Sequence, residues 1–172
     1  GQAFVGMNEP ENAKQELAKL AALRSQPEVQ AMRFFNREGA PPLLEIAETV
    51  LTGNIEASEG ELQSAMSTLK AAVVMEDALP YSEPPEWFFP VRHALGAVQM
   101  EAGEYEAAEA TYQRDLGIMV ENGWALRGLE AALTSQGKNE AAEAVQTRFE
   151  DAWKNAEIDI TGSVIAEDAL MS

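Results

Sequence analysis

Glu106, Ala107, Ala108, Glu109, Ala110 recurs unchanged as Glu140, Ala141, Ala142, Glu143, Ala144, thirty-four positions later. The same displacement carries Leu95 onto Leu129 and Gly103 onto Gly137. Self-similarity at such a period marks one supersecondary unit used repeatedly, each copy unable to bury its apolar face alone.

The residues around each copy predict two helices joined by a tight stop. Val91, Ala94, Leu95 and Val98 stand at helical spacing from about 90 to 102, and Gly103 supplies the left-handed conformation that ends a helix. A second helix is expected from Glu104 to Val120, with Ala108 at a close helix approach and Tyr112 and Leu116 on successive turns. The next copy predicts Trp124 to Gln136, a stop at Gly137, and Glu140 to Asn155 carrying Ala144, Val145, Phe149 and Trp153. An earlier copy lies at another offset: Gly53, Gly60, Leu62, Ala65 and Leu69 map onto Gly96, Gly103, Tyr105, Ala108 and Tyr112 with a constant shift of 43. The nine surplus residues fall in 79–90, where Pro80, Pro84, Pro85 and Pro90 forbid a continuous helix.

The front of the chain is looser. Glu11 to Arg24 reads as an amphipathic helix through Leu17, Leu20 and Ala21, and Pro27 to Arg37 as another through Val29, Met32 and Phe35. Ala3, Phe4 and Met7 share helical spacing, which favours reading 1–7 as the tail of a first repeat helix over a disordered lead. Beyond Asn155, Ile158, Ile160, Val164 and Ile165 in a Thr, Gly and Ser context predict an extended tail lying on the last helices. The organisation is thus one helical domain over 1–172: N-terminal helices 1–40, repeats 42–78, 90–121 and 122–155, the insertion 79–90, and the tail 156–172.

Composition removes several function classes. Twenty-nine Asp plus Glu against twelve Lys plus Arg gives a formal charge of -17, which repels a phosphate backbone, so nucleic acid is not an expected partner. The chain has no cysteine, which excludes disulfides, thiolate metal sites and a cysteine nucleophile. No apolar run reaches membrane-spanning length. His93 is the only histidine, so a two-histidine metal motif is excluded, and no phosphate-cradling glycine loop or calcium-loop spacing occurs. Neither a metal nor a cofactor is expected.

These residues resemble the tetratricopeptide repeat (TPR) family, position by position from about Pro42 to Trp153. Leu95, Gly96, Gly103, Tyr105, Ala108 and Tyr112 stand where TPR units carry Leu, Gly, Gly, Tyr, Ala and an aromatic. The third copy departs, with Glu130 opposite Gly96, Asn139 opposite Tyr105, and Lys154 where a helix-ending proline is common, as a capping unit would. More narrowly, Glu76, Asp77, Leu79, Tyr81, Glu83, Pro84, Pro85, Trp87, Pro90, Val91 and Arg92, then Asn122, Gly123, Trp124, Leu126, Gly128 and Leu129, resemble the C-terminal part of longer bacterial TPR proteins of unassigned function. The resemblance implies an all-α solenoid of antiparallel hairpins with a right-handed superhelical sense, further repeats upstream in a longer parent, and no established activity. It leaves the compartment open between cytoplasm and periplasm.

The expected role is to hold a peptide or helix of another protein in a concave groove lined by the first helix of each unit, not to catalyse. Arg92, Gln99 and Arg127 are the groove candidates, and Tyr81, Glu83 and Trp87 the candidates from the insertion, beside His93. Four of the chain's twelve aromatic residues, Tyr81, Trp87, Phe88 and Phe89, crowd into nine positions there; aromatic rings near a guanidinium anchor peptides, and they equally plug a gap between repeats. The acidic balance predicts a partner segment bearing Lys or Arg. Two other readings stay open: self-association through an exposed repeat end, giving a homodimer, and an enzyme site built on His93 and the insertion, whose sign is a deep pocket holding His93 beside a carboxylate.

Overall fold

A computed structural model describes residues 1–33 and 39–164. Among the described residues every regular element is a helix, and adjacent helices pack against one another. In chain order these are α1 (Gln2–Gly6), α2 (Pro10–Arg24), α3 (Pro27–Gln30), α4 (Ala40–Ser58), α5 (Leu62–Asp77), α6 (Val91–Glu101), α7 (Tyr105–Leu116), α8 (Gly123–Ser135) and α9 (Asn139–Trp153). The chain divides into two compact units, Gly1–Val91 and Arg92–Ser172.

One turn recurs four times. Gly60, Gly103 and Gly137 adopt φ of 84, 75 and 74°, and Asn8 does the same work at 55°. At each, the residue after the left-handed one donates its N–H five residues back, from Glu9 to Phe4 (2.8 Å), Glu61 to Glu56 (2.9 Å), Glu104 to Gln99 (2.9 Å) and Lys138 to Leu133 (3.0 Å). The left-handed residue itself donates three residues back, to Val5, Ala57, Met100 and Thr134 respectively. This is the Schellman arrangement, which satisfies carbonyls that a helix end otherwise orphans. Five residues past each turn stands a buried alanine: Ala13, Ala65, Ala108 and Ala142. With no side chain beyond Cβ, alanine lets the second helix of each hairpin close on the first at little entropic cost.

In the first unit, α1 and α2 form a hairpin that packs on α4, and α4 pairs with α5. Ala13, Leu51 and Ile55 are buried together there, with Phe4, Val5 and Leu17 against them. The helix pair α4/α5 approaches closely at Gly53, where a Cβ would fall 2.7 Å from Leu69 Cγ. In the second unit, α7 packs on α8 and α8 pairs with α9 around Tyr112, Leu126, Leu129, Leu133, Val145 and Phe149. Here α6 meets α7 at Gly96 and α8 meets it at Gly128; a Cβ on either glycine would fall 2.3 Å from Tyr112 Cζ.

Several expected boundaries shift. The helix expected from Pro27 to Arg37 ends at Gln30, because the Arg33 guanidinium takes the carbonyls of Gln30 (2.9 Å) and Met32 (2.8 Å) and draws the chain out of the helix. Val29 is buried as expected but Met32 is exposed, and Phe35 lies outside the described residues. α7 stops at Leu116 and not Val120, since the Asp115 carbonyl accepts both the Ile118 and Met119 N–H groups at 2.8 Å and tightens the last turn. In α9 the inward alanine is Ala142, whereas Ala144 faces out. α8 begins where the Asn122 side chain accepts from the N–H groups of Trp124 (3.0 Å) and Ala125 (3.3 Å), a side-chain cap of the ordinary kind.

Candidate binding surfaces

The insertion 79–90 carries no helix, and its ends are tied together by one carboxylate. Glu76 accepts from the backbone N–H of Val91 at 3.0 Å, satisfying a donor that the start of α6 would otherwise leave open. Within the loop, Ser82 Oγ donates to the Pro84 carbonyl at 3.1 Å, and the Tyr81 hydroxyl donates to the Glu83 carboxylate. That hydrogen bond, more than any desolvation, raises the Tyr81 pKa above the usual phenol value. Trp87 and Phe88 lie with ring centroids 5.8 Å apart, and Phe88 and Phe89 6.4 Å apart. Tyr81 is 82% and Phe88 85% exposed, while Trp87 and Phe89 are half-buried. The loop thus presents two bare rings, Tyr81 with the Glu83 carboxylate on its hydroxyl and Phe88 between the half-buried rings of Trp87 and Phe89.

The helix-borne candidates sit differently. Arg92, His93 and Gln99 are buried, and Arg127 is partly so. His93 Nε2 lies 3.0 Å from Asp115 Oδ2, with both side chains enclosed. Gln99 Oε1 accepts from the Thr111 hydroxyl at 2.8 Å. Arg127 donates to Glu130 at 2.8 Å and lays its guanidinium 3.8 Å over the Phe149 ring. The structure therefore gathers Tyr81, Glu83 and Trp87 in one loop, and turns Arg92, His93 and Gln99 inward. The carboxylate that an enzyme reading asks of His93 is present in Asp115, but the imidazole has no exposed surface on which a substrate could rest.

A polar cluster that sequence reasoning missed lies in the second unit. Ser163 Oγ donates to the His93 carbonyl at 3.2 Å, and its own oxygen meets the Tyr112 hydroxyl at 2.6 Å. Tyr112 is enclosed, and burial pushes its pKa up to about 12. No periodicity signals a contact between residues 112 and 163, because the tail has no helical register to project it. Beside this cluster, α7, α8 and α9 bound an open cleft of about 460 Å³ floored by Leu116, Leu129 and Val145. Its rim holds Lys138, paired to Glu109 at 2.7 Å, and Arg148, paired to Glu121 at 2.9 Å. Hydrogen bonds from Lys138 and then Gln136 hold the Glu109 carboxyl below the usual range.

Among the described residues no group of three or more histidine or carboxylate side chains is placed to hold a metal ion, and no helix is long and apolar enough to cross a membrane. Comparison with protein-family models, with curated proteins and with solved structures returned no match.

Proposed function

We propose that the chain is a TPR-like protein-binding module, a right-handed stack of helix hairpins that holds an extended or helical segment of another protein. The observation that carries this reading is the fourfold turn at Asn8, Gly60, Gly103 and Gly137, each followed five residues later by a buried alanine. In a TPR-like array a unit repeated in this way builds a surface, because stacking sets the first helices of successive hairpins side by side. The exposed rings of Tyr81 and Phe88, with Glu83 between them in sequence, are the anchors of this reading, in place of the enclosed Arg92, His93 and Gln99. Aromatic side chains on a firm base give contact area at low entropic cost. The charge of -17 favours a partner segment bearing Lys or Arg.

A fluorescence titration tests this with short peptides of matched length, one set rich in Lys and Arg and one rich in Asp and Glu. The basic set binds, weakens as salt rises, and loses affinity about tenfold when Tyr81 and Phe88 are both changed to Ala. Equal binding of both sets, or binding indifferent to salt and to the double change, contradicts the proposal.

A further inference from the structure

The described part of the C-terminal segment after α9, to Val164, is held to the second unit by the following contacts. The Trp153 indole Nε1–H donates to the Ile158 carbonyl at 2.8 Å and turns the chain back past the end of the helix. Ala156, Glu157, Ile158 and Asp159 are then exposed, Ile158 by 62%. Ile160 is buried within the same apolar cluster as Tyr112, Leu126 and Phe149. Thr161 is exposed again, and Ser163 is buried on the Tyr112 hydroxyl and the His93 carbonyl. Among the described residues of the segment, Ile160 and Ser163, three positions apart, are the buried ones; Gly162 and Val164 are half-buried, and the rest face solvent.

The receiving surface is built around the Tyr112 ring. Gly96 on α6 and Gly128 on α8 both lack the Cβ that would strike the Tyr112 ring, so the ring of an α7 residue stands between these two helices. Its hydroxyl finishes beside the His93 carbonyl of α6, where Ser163 Oγ bridges the two. Because the Ser163 proton goes to the carbonyl, the phenol donates to the serine oxygen, and a small hydroxyl side chain satisfies both groups at once. The surface therefore takes an apolar side chain, Ile160, into its buried cluster and, three positions on, offers a donor and acceptor pair to a hydroxyl side chain.

From this we infer that the surface over Tyr112 is a peptide-binding site of the second unit, and that residues 158–164 are its resident, intramolecular ligand. A foreign extended segment with Ile or Val at one position and Ser or Thr three positions later replaces the tail. One isoleucine, two hydroxyl contacts and the Trp153 indole hydrogen bond stand against the entropy of ordering the segment, and its continuity with α9 makes up the difference by supplying a high local concentration. Such a segment opens far more readily than the helices beneath it. The inference deepens the protein-binding reading and rests on it, by stating which side chains one part of that surface selects.

The experiment uses the full chain with a protease recognition site inserted between Asn155 and Ala156, cleaved after folding. A fluorescein-labelled synthetic peptide of residues 156–164 is then titrated in, alongside the Ile160→Asp and Ser163→Val peptides, with helix content followed by circular dichroism. The expected result is saturable exchange of the labelled peptide with unchanged helix content, at least tenfold weaker binding of the Ile160→Asp peptide, and a smaller loss for Ser163→Val. Refusal of the labelled peptide by a folded, cleaved protein, or loss of helix when its own tail departs, overturns the inference, since the tail is then a fixed part of the core. Peptide exchange without any binding of basic peptides would sink the aromatic-loop reading alone. Binding of basic peptides that neither compete with the tail nor need its release, in a protein that also refuses the tail peptide, would sink this inference alone.

Discussion

The hairpins α4/α5 and α6/α7 are built on one plan and differ at its centre. Both turn on a left-handed glycine, Gly60 or Gly103, and both let the second helix close at a buried alanine, Ala65 or Ala108. Both bring a glycine of the first helix against a large side chain of the second: Gly53 against Leu69, and Gly96 against Tyr112. Leucine ends the matter in the first hairpin, because its side chain asks nothing of its surroundings but space. Tyrosine brings a hydroxyl into the interior, and a buried hydroxyl must find a partner. It finds one in Ser163, fifty-one residues on, and so a substitution within a repeat recruits a segment outside the repeats.

The sharpest way to break this comparison is to add one carbon to each glycine. Gly96→Ala drives a Cβ into a rigid ring that Gly128 hems in from α8, at a cost of about 3 kcal/mol. Gly53→Ala meets a flexible leucine and gains helix propensity, so its cost is about 1 kcal/mol or less. Urea unfolding of the two variants should separate them, and equal losses would show that the ring is free to move aside.

Next in size is an alkaline effect confined to the tyrosine hairpin. The Tyr112 pKa is raised from 10.0 to about 12, so the folded state keeps a proton that the unfolded chain has released. Stability from this source is complete below pH 10 and falls as the pH climbs towards 12, by about 2 to 3 kcal/mol. Tyr112→Phe should flatten that fall while lowering stability near neutrality by about 1 kcal/mol through the lost Ser163 contact. An unchanged alkaline slope in the variant would place its cause elsewhere.

Smaller than the clash at Gly96 and the alkaline loss at Tyr112 are the effects expected at the turns. Gly103→Ala and Gly137→Ala each force a Cβ into the left-handed region and should cost about 1 to 2 kcal/mol. Asn8→Gly should do the reverse and stabilise by a few tenths of a kcal/mol, since asparagine is already strained there. Thermal melts of the three variants measure both signs.

How much of this was legible beforehand follows from what each residue advertises. The repeated Glu-Ala-Ala-Glu-Ala segments and the glycines at 60, 103 and 137 announced three hairpins, because a left-handed stop and a close approach each demand a particular residue type. The fourth turn was hidden by Asn8, which adopts the same conformation without carrying the glycine signature, and by a first helix only five residues long. The approach of Gly128 to Tyr112 was not foreseen, because Gly128 stands two positions short of the register that pairs Gly96 with Glu130, yet it faces the same ring. A buried, hydrogen-bonded His93 was one of two bland readings its sequence position allowed, but the inward turn of Arg92 and Gln99 was illegible for a different reason. Polar residues on a helical pattern read as an exposed face, but α6 is buried on nearly every side from Val91 to Val98, so its polar groups find partners inside, as His93 does with Asp115. The tail was expected to lie on the last helices through Ile158, Ile160, Val164 and Ile165; Ile160 is buried and Val164 partly so, Ile158 points out, and Ile165 lies outside the described residues.

Amide hydrogen exchange at four residues tests the hairpin plan itself. The N–H groups of Glu9, Glu61, Glu104 and Lys138 each close a five-residue-back hydrogen bond, so all four should exchange slowly for groups at the surface ends of helices. Fast exchange at Glu61, Glu104 or Lys138 would mean that the helices do not turn back on one another as described, and that no repeated surface stands behind the proposed binding.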